Sequence, residues 1–153
     1  LWSGLHQGII DIIATDHAPH TLGEKSQPYP NSPAGMPGVE TSLPLMLTAM
    51  QAGQCTLAQV QQWMCSGPAR LYGIKNKGQL AEGFDADLAL VDIETTRPVR
   101  DNEVFSRAAW SPYAGRELTG WPSYTIVGGQ VVFDNGRIRP GVFGKALEFP
   151  RAG

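Results

Sequence analysis

One stretch constrains this chain more than any other: Gly8-Ile9-Ile10-Asp11-Ile12-Ile13-Ala14-Thr15-Asp16-His17-Ala18-Pro19-His20. Its first half is rich in isoleucine, the pattern of a strand buried on both faces. Its second half breaks into Asp16, His17 and His20, and Pro19 stops any helix there. A buried parallel strand that ends in a carboxylate and imidazoles is where α/β proteins, barrels especially, mount their chemistry. The fold class this predicts is α/β, with a strand over residues 9–15.

Two halves flank that strand end. Residues 1–7 read as the end of a helix, with Gly8 as its stop. Residues 16–38 form a long loop dense in Pro, Gly, Ser and Asn, a length that is rare in a compact domain unless the loop has a task. A helix is expected over 39–51, with Leu43, Leu45, Met46, Leu47 and Met50 on its apolar side and Pro44 near its first turn. Thr56 reads as the N-cap of a second helix and Gln59 completes a capping box. Its buried face would be Leu57, Val60, Trp63 and Met64, and Gly67-Pro68 would end it. One more turn follows over 69–74, with Leu71 and Tyr72 packing inward.

At Lys75 the pattern changes to short strands: one over 86–91, then 123–127 and 130–133 joined across Gly128-Gly129, a type I′ or II′ hairpin signal. Asn135-Gly136 is a second such turn, leading into 137–139. Residues 101–107 suggest a helical turn, 111–122 a loop, and the closing residues look irregular. The chain thus divides into residues 1–74 and residues 75–153.

Two groups of residues could carry chemistry. Asp16, aimed by a strand's backbone, suits a metal ligand or a general base, and it suits the cap of a turn equally. His17 and His20 lie across a proline and point differently, so one can serve a site while the other packs or bonds the loop. Around Pro33-Ala34-Gly35, small residues allow close approach to the backbone, whose N–H and C=O groups could hold a planar amide or imide; the alternative is a flexible loop. Lys25, Glu24 and Tyr29 in the same loop could equally be solvated, and Arg116 and Glu117 read as a surface pair.

Composition removes other classes. The net charge of −2 gives no case for nucleic acid or an anionic membrane as partner. No apolar run approaches the roughly 20 residues of a membrane span. Cys55 and Cys65 have the spacing of neither a zinc knuckle nor a redox pair, and two isolated thiols fit a reducing compartment, the cytoplasm by default. There is no G-x-S-x-G elbow and no G-x-G-x-x-G frame. The start at Leu1-Trp2-Ser3-Gly4, in mid-pattern, suggests a fragment of something longer.

Ala14-Thr15-Asp16-His17-Ala18-Pro19-His20 followed by Gly35-Met36-Pro37-Gly38-Val39-Glu40-Thr41 resembles the closing part of dihydroorotases, within the amidohydrolase superfamily. Gly78-Gln79-Leu80 with Gly83-Phe84-Asp85-Ala86-Asp87-Leu88 resembles the small β-domain of that superfamily, and Ser111-Pro112-Tyr113 to Gly129 is similar to the dihydroorotase form of the tail. The resemblance implies the last βα units of a metal-dependent (β/α)8 barrel over 1–74, followed by part of a small β-sandwich over 75–153. It implies reversible cyclisation of N-carbamoyl-aspartate to dihydroorotate in pyrimidine biosynthesis. Asp16 matches the aspartate that touches the metal centre, acts as base on the bridging water and passes its proton to the leaving amide nitrogen. His20 matches the residue that binds the substrate carboxylate, and Ala34 and Gly35 match a loop whose backbone contacts the pyrimidine ring. His17 inherits no role.

The resemblance also implies zinc, binuclear in the whole enzyme, held by a His-x-His pair, a modified lysine and two later histidines. This chain has only His6, His17 and His20, so those ligands lie outside it and the fragment alone is expected to be inactive. The expected partner is a small-molecule substrate, with a homo-oligomer or a complex with another pyrimidine-pathway enzyme as the assembly. Two alternatives stand beside this reading: a related cyclic amidohydrolase of allantoinase or dihydropyrimidinase type, and a non-catalytic scaffold that resembles dihydroorotases.

Overall fold

A computed structural model of the chain describes residues 1–149. Among the described residues, five short α-helices and one four-stranded antiparallel sheet make a mixed α/β structure. Helix α1 (Trp2–His6) ends at Gln7, just before Gly8. Helix α2 (Leu22–Lys25) lies inside the long loop, α3 (Ser42–Gln51) follows it, and α4 (Leu57–Gln61) runs on through a π-helical turn (Gln62–Ser66) into α5 (Gly67–Leu71). The sheet has the order β1 (Leu88–Pro98), β2 (Glu117–Val127), β3 (Gln130–Asp134), β4 (Arg137–Ile138).

The local rules hold where they are local. Thr56 caps α4 through the full capping box with Gln59, whose amide oxygen accepts from Thr56 N at 2.9 Å. Pro44 sits in the first turn of α3, where its missing N–H has no helical partner to lose. Gly128-Gly129 and Asn135-Gly136 close the two hairpins, β2–β3 and β3–β4.

Four expectations fail, each because tertiary context overrides the local pattern. Residues 9–15 form no strand. Among the described residues they have no strand partner, Ile9 is 72% exposed, and Ile13 donates its N–H to Trp63 O at 3.0 Å. A strand is defined by its ladder, and this segment has none here. Gly67-Pro68 does not end the helix. The wider π turn lets Pro68 enter at the start of α5, where no N–H is required of it. Leu57, Leu71 and Tyr72 are each 56% exposed, so the inward face is Val60, Trp63 and Ala69 instead. The stretch 111–122 is loop only to Arg116, because β2 starts at Glu117 and pairs with β1.

Buried side chains organise the rest. Cys55, Val60 and Trp63 are buried, with Trp2, Leu5, Ile13, Met46 and Met50 packed against them; a fully buried side chain of this size contributes about 1.5–3 kcal/mol. Leu47 and Pro44 on α3 and Leu118 on β2 are fully buried, and α3 lies on β2. That contact is possible only at Gly120. A Cβ there would lie 2.5 Å from the Leu47 Cβ, and its φ of +88° is one that side-chain-bearing residues avoid. Beside it, Thr119 N donates to Thr48 Oγ1 at 2.8 Å.

Glu40 completes the link between the halves. Its carboxylate accepts from Phe105 N at 2.9 Å and Ser106 N at 2.8 Å, two backbone donors 65 residues away in sequence or more. The backbone up to Phe149 is irregular beyond β4, and the expectation of an irregular end lies outside the described residues for 150–153.

Candidate active site

The polar motif after the isoleucine run is held by its own loop. His17 and Met36 form an isolated parallel bridge, and Ala18 donates its N–H to Met36 O at 3.3 Å. His17 turns its ring inward on the loop: Nδ1 accepts from Gly38 N at 3.1 Å and Val39 N at 3.3 Å. An accepting Nδ1 puts the ring proton on Nε2 in the neutral tautomer. His17 is therefore the histidine that bonds the loop, as one of the two was expected to.

Asp16 sits at φ +44°, left-handed backbone for a residue with a side chain. Such a conformation costs on the order of 1–2 kcal/mol, less for aspartate than for bulkier residues, and persists where surrounding bonds enforce it. The Ala18–Met36 and His17–Gly38 bonds do that immediately downstream.

Asp16 lines an open cavity of about 380 Å³ together with Thr15, Lys25, Gly35, Met36 and Trp110. The fold thus brings two of the sequence-predicted site residues, Asp16 and Gly35, to one cavity. His20 and Ala34 are not part of its lining; Ala34 is exposed and His20 half-buried beside it. Gly35 has φ +95°, and a Cβ on it would lie 2.6 Å from the Ala18 Cβ and 2.7 Å from the Ala18 carbonyl oxygen. Only glycine fits between the two arms of the loop.

Two residues to which the sequence assigned no site role line the same cavity. Lys25, left open as a solvated residue, is half-buried, and its ammonium donates to Pro33 O at 2.7 Å and Gly35 O at 3.1 Å. The short helix carrying it starts at a second capping box, in which Glu24 Oε2 accepts from Thr21 N at 2.7 Å and Thr21 Oγ1 at 2.8 Å. Those bonds from Thr21 hold the Glu24 carboxyl below its usual range. The T-x-x-E spacing was a legible signal for that turn. Trp110 comes from the other half, and its indole N–H donates to His20 O at 2.7 Å; no sequence signal pointed to it. Arg116, read as a partner of Glu117, instead lies 6.0 Å from the Tyr113 ring centre.

A larger groove of about 670 Å³ lies elsewhere, between the α4–α5 helix and β1, and is mostly apolar, lined by Leu43, Val60, Ala69, Leu88 and Val91 among others. Its charged groups are committed: Lys77 pairs with Asp85 and Asp87. Glu40 and Glu103 line a further cavity of about 390 Å³, but Glu40 accepts from Phe105 N and Ser106 N and Glu103 pairs with Arg97 and Arg100.

A chain with this mixed α/β fold and the Asp16 cavity can be set beside known proteins. The model of the Amidohydrolase family matches residues 1–132, and the chain belongs to that family. It is 42% identical over 138 residues to the dihydroorotase of Bacillus caldolyticus, covering 90% of this chain and 32% of that one. To the dihydroorotase of Methanothermobacter thermautotrophicus it is 39% identical over 132 residues, covering 86% and 31%. Among solved structures it is similar to the L-hydantoinase (dihydropyrimidinase) of Arthrobacter aurescens, with a TM-score of 0.84 and 36% identity over 90% of this chain and 32% of that one. The chain spans about a third of the length of the curated relatives it matches.

The amidohydrolase family is generally metal-dependent. Among the described residues no group of three or more His, Cys, Asp or Glu side chains could hold a metal ion. Of the residues that line the cavity, Asp16 is the one carboxylate, a donor that fits a single position in a metal coordination sphere. No helix of the described residues is long and apolar enough to cross a membrane.

Proposed function

We propose that this chain is the C-terminal portion of a dihydroorotase, which interconverts N-carbamoyl-aspartate and dihydroorotate. Residues 1–74 would be the end of its metal-dependent (β/α)8 barrel and 75–153 part of its small β-sandwich. The observation that carries this is Asp16, strained into left-handed backbone and facing open space beside the Gly35 loop. The dihydroorotase relatives at 39–42% identity support it.

In ring opening, a water oxygen adds to the amide carbonyl carbon, the C–N bond breaks, and the nitrogen leaves with a proton. Asp16, as carboxylate, accepts the proton of the attacking water and returns it to that nitrogen, so one group serves as base and then acid. Zinc, when held by Asp16 and by ligands outside this chain, would supply Lewis-acid polarisation of the carbonyl. In this reading the backbone of Ala34 and Gly35 lies against the planar ring, on a loop whose course past Ala18 only a glycine at position 35 allows. His20, whose backbone carbonyl accepts from the Trp110 indole N–H, presents its imidazole to the substrate carboxylate in this reading. In the same reading the enzyme acts in the cytoplasm on a small molecule, as a homo-oligomer or beside another enzyme of the pathway. The two free thiols, Cys55 and Cys65, support a reducing compartment.

The test is a ring-closure and ring-opening assay on the full-length protein with added zinc. Asp16→Ala is expected to lower kcat by about 10²–10⁴-fold, and His20→Ala to raise KM about tenfold with a smaller change in kcat. Wild-type turnover in the Asp16 variant would refute the proton-transfer role. The hydantoinase likeness favours a second reading, a related cyclic amidohydrolase; hydantoin opened faster than dihydroorotate would establish it instead.

A further inference from the structure

Gly35 and Met36, which line the Asp16 cavity, belong to a loop, 33–36, that lies outside every strand and helix of the described residues. Among the described residues the N–H groups of Ala34 and Gly35 make no hydrogen bond, so the loop is not braced through its own donors. Its carbonyls are braced instead. Lys25 Nζ takes Pro33 O at 2.7 Å and Gly35 O at 3.1 Å, the two carbonyls on either side of Ala34. Serine 32 ties the same two segments in the opposite direction, Ser32 Oγ donating to Lys25 O at 2.9 Å. The lysine stem leaves α2, whose start is locked by the Thr21–Glu24 capping box, so the ammonium hangs from a fixed post. It is half-buried and lines the cavity together with Asp16.

We infer that Lys25 is a positioning residue, which sets the Ala34–Gly35 backbone at the spacing the substrate ring needs. An ammonium that accepts nothing and donates to two carbonyls pulls both oxygens toward itself. In a trans peptide the Pro33 carbonyl and the Ala34 N–H point opposite ways, so the bond to Lys25 turns the Ala34 N–H away from the ammonium, where among the described residues it meets no protein acceptor. The clamp also orders the loop before substrate arrives, so binding does not have to immobilise it. Charge-assisted bonds are the stronger class, which suits a brace carried by one side chain. The inference rests on the dihydroorotase reading only for the identity of the ring; the clamp itself is a property of the free protein.

The experiment separates the two. In the full-length protein, Lys25→Met and Lys25→Arg are compared with wild type by amide hydrogen exchange over residues 33–36 without substrate, and by kcat and KM on dihydroorotate. Lys25→Met is expected to speed exchange in 33–36 and to raise KM about tenfold, with kcat within about twofold of wild type. Lys25→Arg, which keeps a charged donor, is expected to recover most of both losses. Unchanged exchange over 33–36, or a wild-type KM, in Lys25→Met overturns the inference. So does a fall in kcat at constant KM, which would put Lys25 in the chemistry. A wild-type protein inert toward dihydroorotate defeats the functional reading instead, and the exchange measurement then decides the clamp alone.

Discussion

Gly120→Ala tests how the two halves are joined. The new methyl would lie 2.5 Å from the Leu47 Cβ and 2.7 Å from its Cδ1. The first of those atoms is fixed by the backbone of α3, so no rotamer change relieves it. Overpacking of this kind costs about 1–3 kcal/mol. The φ of +88° adds about 1–2 kcal/mol for any residue with a Cβ. Relief requires α3 and β2 to separate, which also strains the 2.8 Å bond from Thr119 N to Thr48 Oγ1. The expected loss is therefore about 2–5 kcal/mol, read by native-state hydrogen exchange of α3 and β2 amides in the full-length protein. Gly83→Ala separates the contributions, since Gly83 has a similar φ of +82° with nothing within 4 Å of the added Cβ. It is expected to cost only about 1–2 kcal/mol, in its own turn. Equal losses at the two sites would refute the steric contribution, and with it the close approach of β2 to α3 as the joint.

Two further outcomes follow from the same contacts. Glu40→Gln replaces one of two accepting oxygens with a donor facing Phe105 N and Ser106 N, and is expected to destabilise the 104–111 loop by about 1.5–3 kcal/mol; unchanged amide exchange at 105 and 106 would count against it. Asp87 is held below its ordinary range first by the Lys77 ammonium and then by the Gly128 N–H. Its contribution is present above the unfolded carboxylate pKa of about 3.9 and lost as pH falls through the lower folded value, so Asp87→Asn is expected to flatten acid destabilisation below about pH 4; an unaltered acid limb in thermal melts would refute this.

Part of this architecture was legible before any coordinates, and part was not. The capping box at Thr56–Gln59, Pro44 in a first turn and the two glycine hairpins are short-range, and they stand as read. The isoleucine run misled on secondary structure because its residues report burial and β-preference but not the presence of a partner strand. Gly67-Pro68 misled because a π turn changes where the next helix begins.

For the candidate site, the D-H-x-x-H motif and the Pro-Ala-Gly loop contribute Asp16 and Gly35 to one cavity, and the family they resemble is the one the chain belongs to. What only the tertiary structure decided is which groups meet there. Lys25 bonds to backbone carbonyls, and carbonyls are the same at every position, so no residue type announces the contact. Trp110 reaches His20 across 90 residues, and Glu40 reaches Ser106 across 66. Sequence by itself determined the punctuation: caps, turns and the placing of a carboxylate after an apolar run, because those depend on neighbours in the chain. The fold decided which distant backbones those side chains hold, because that depends on neighbours in space.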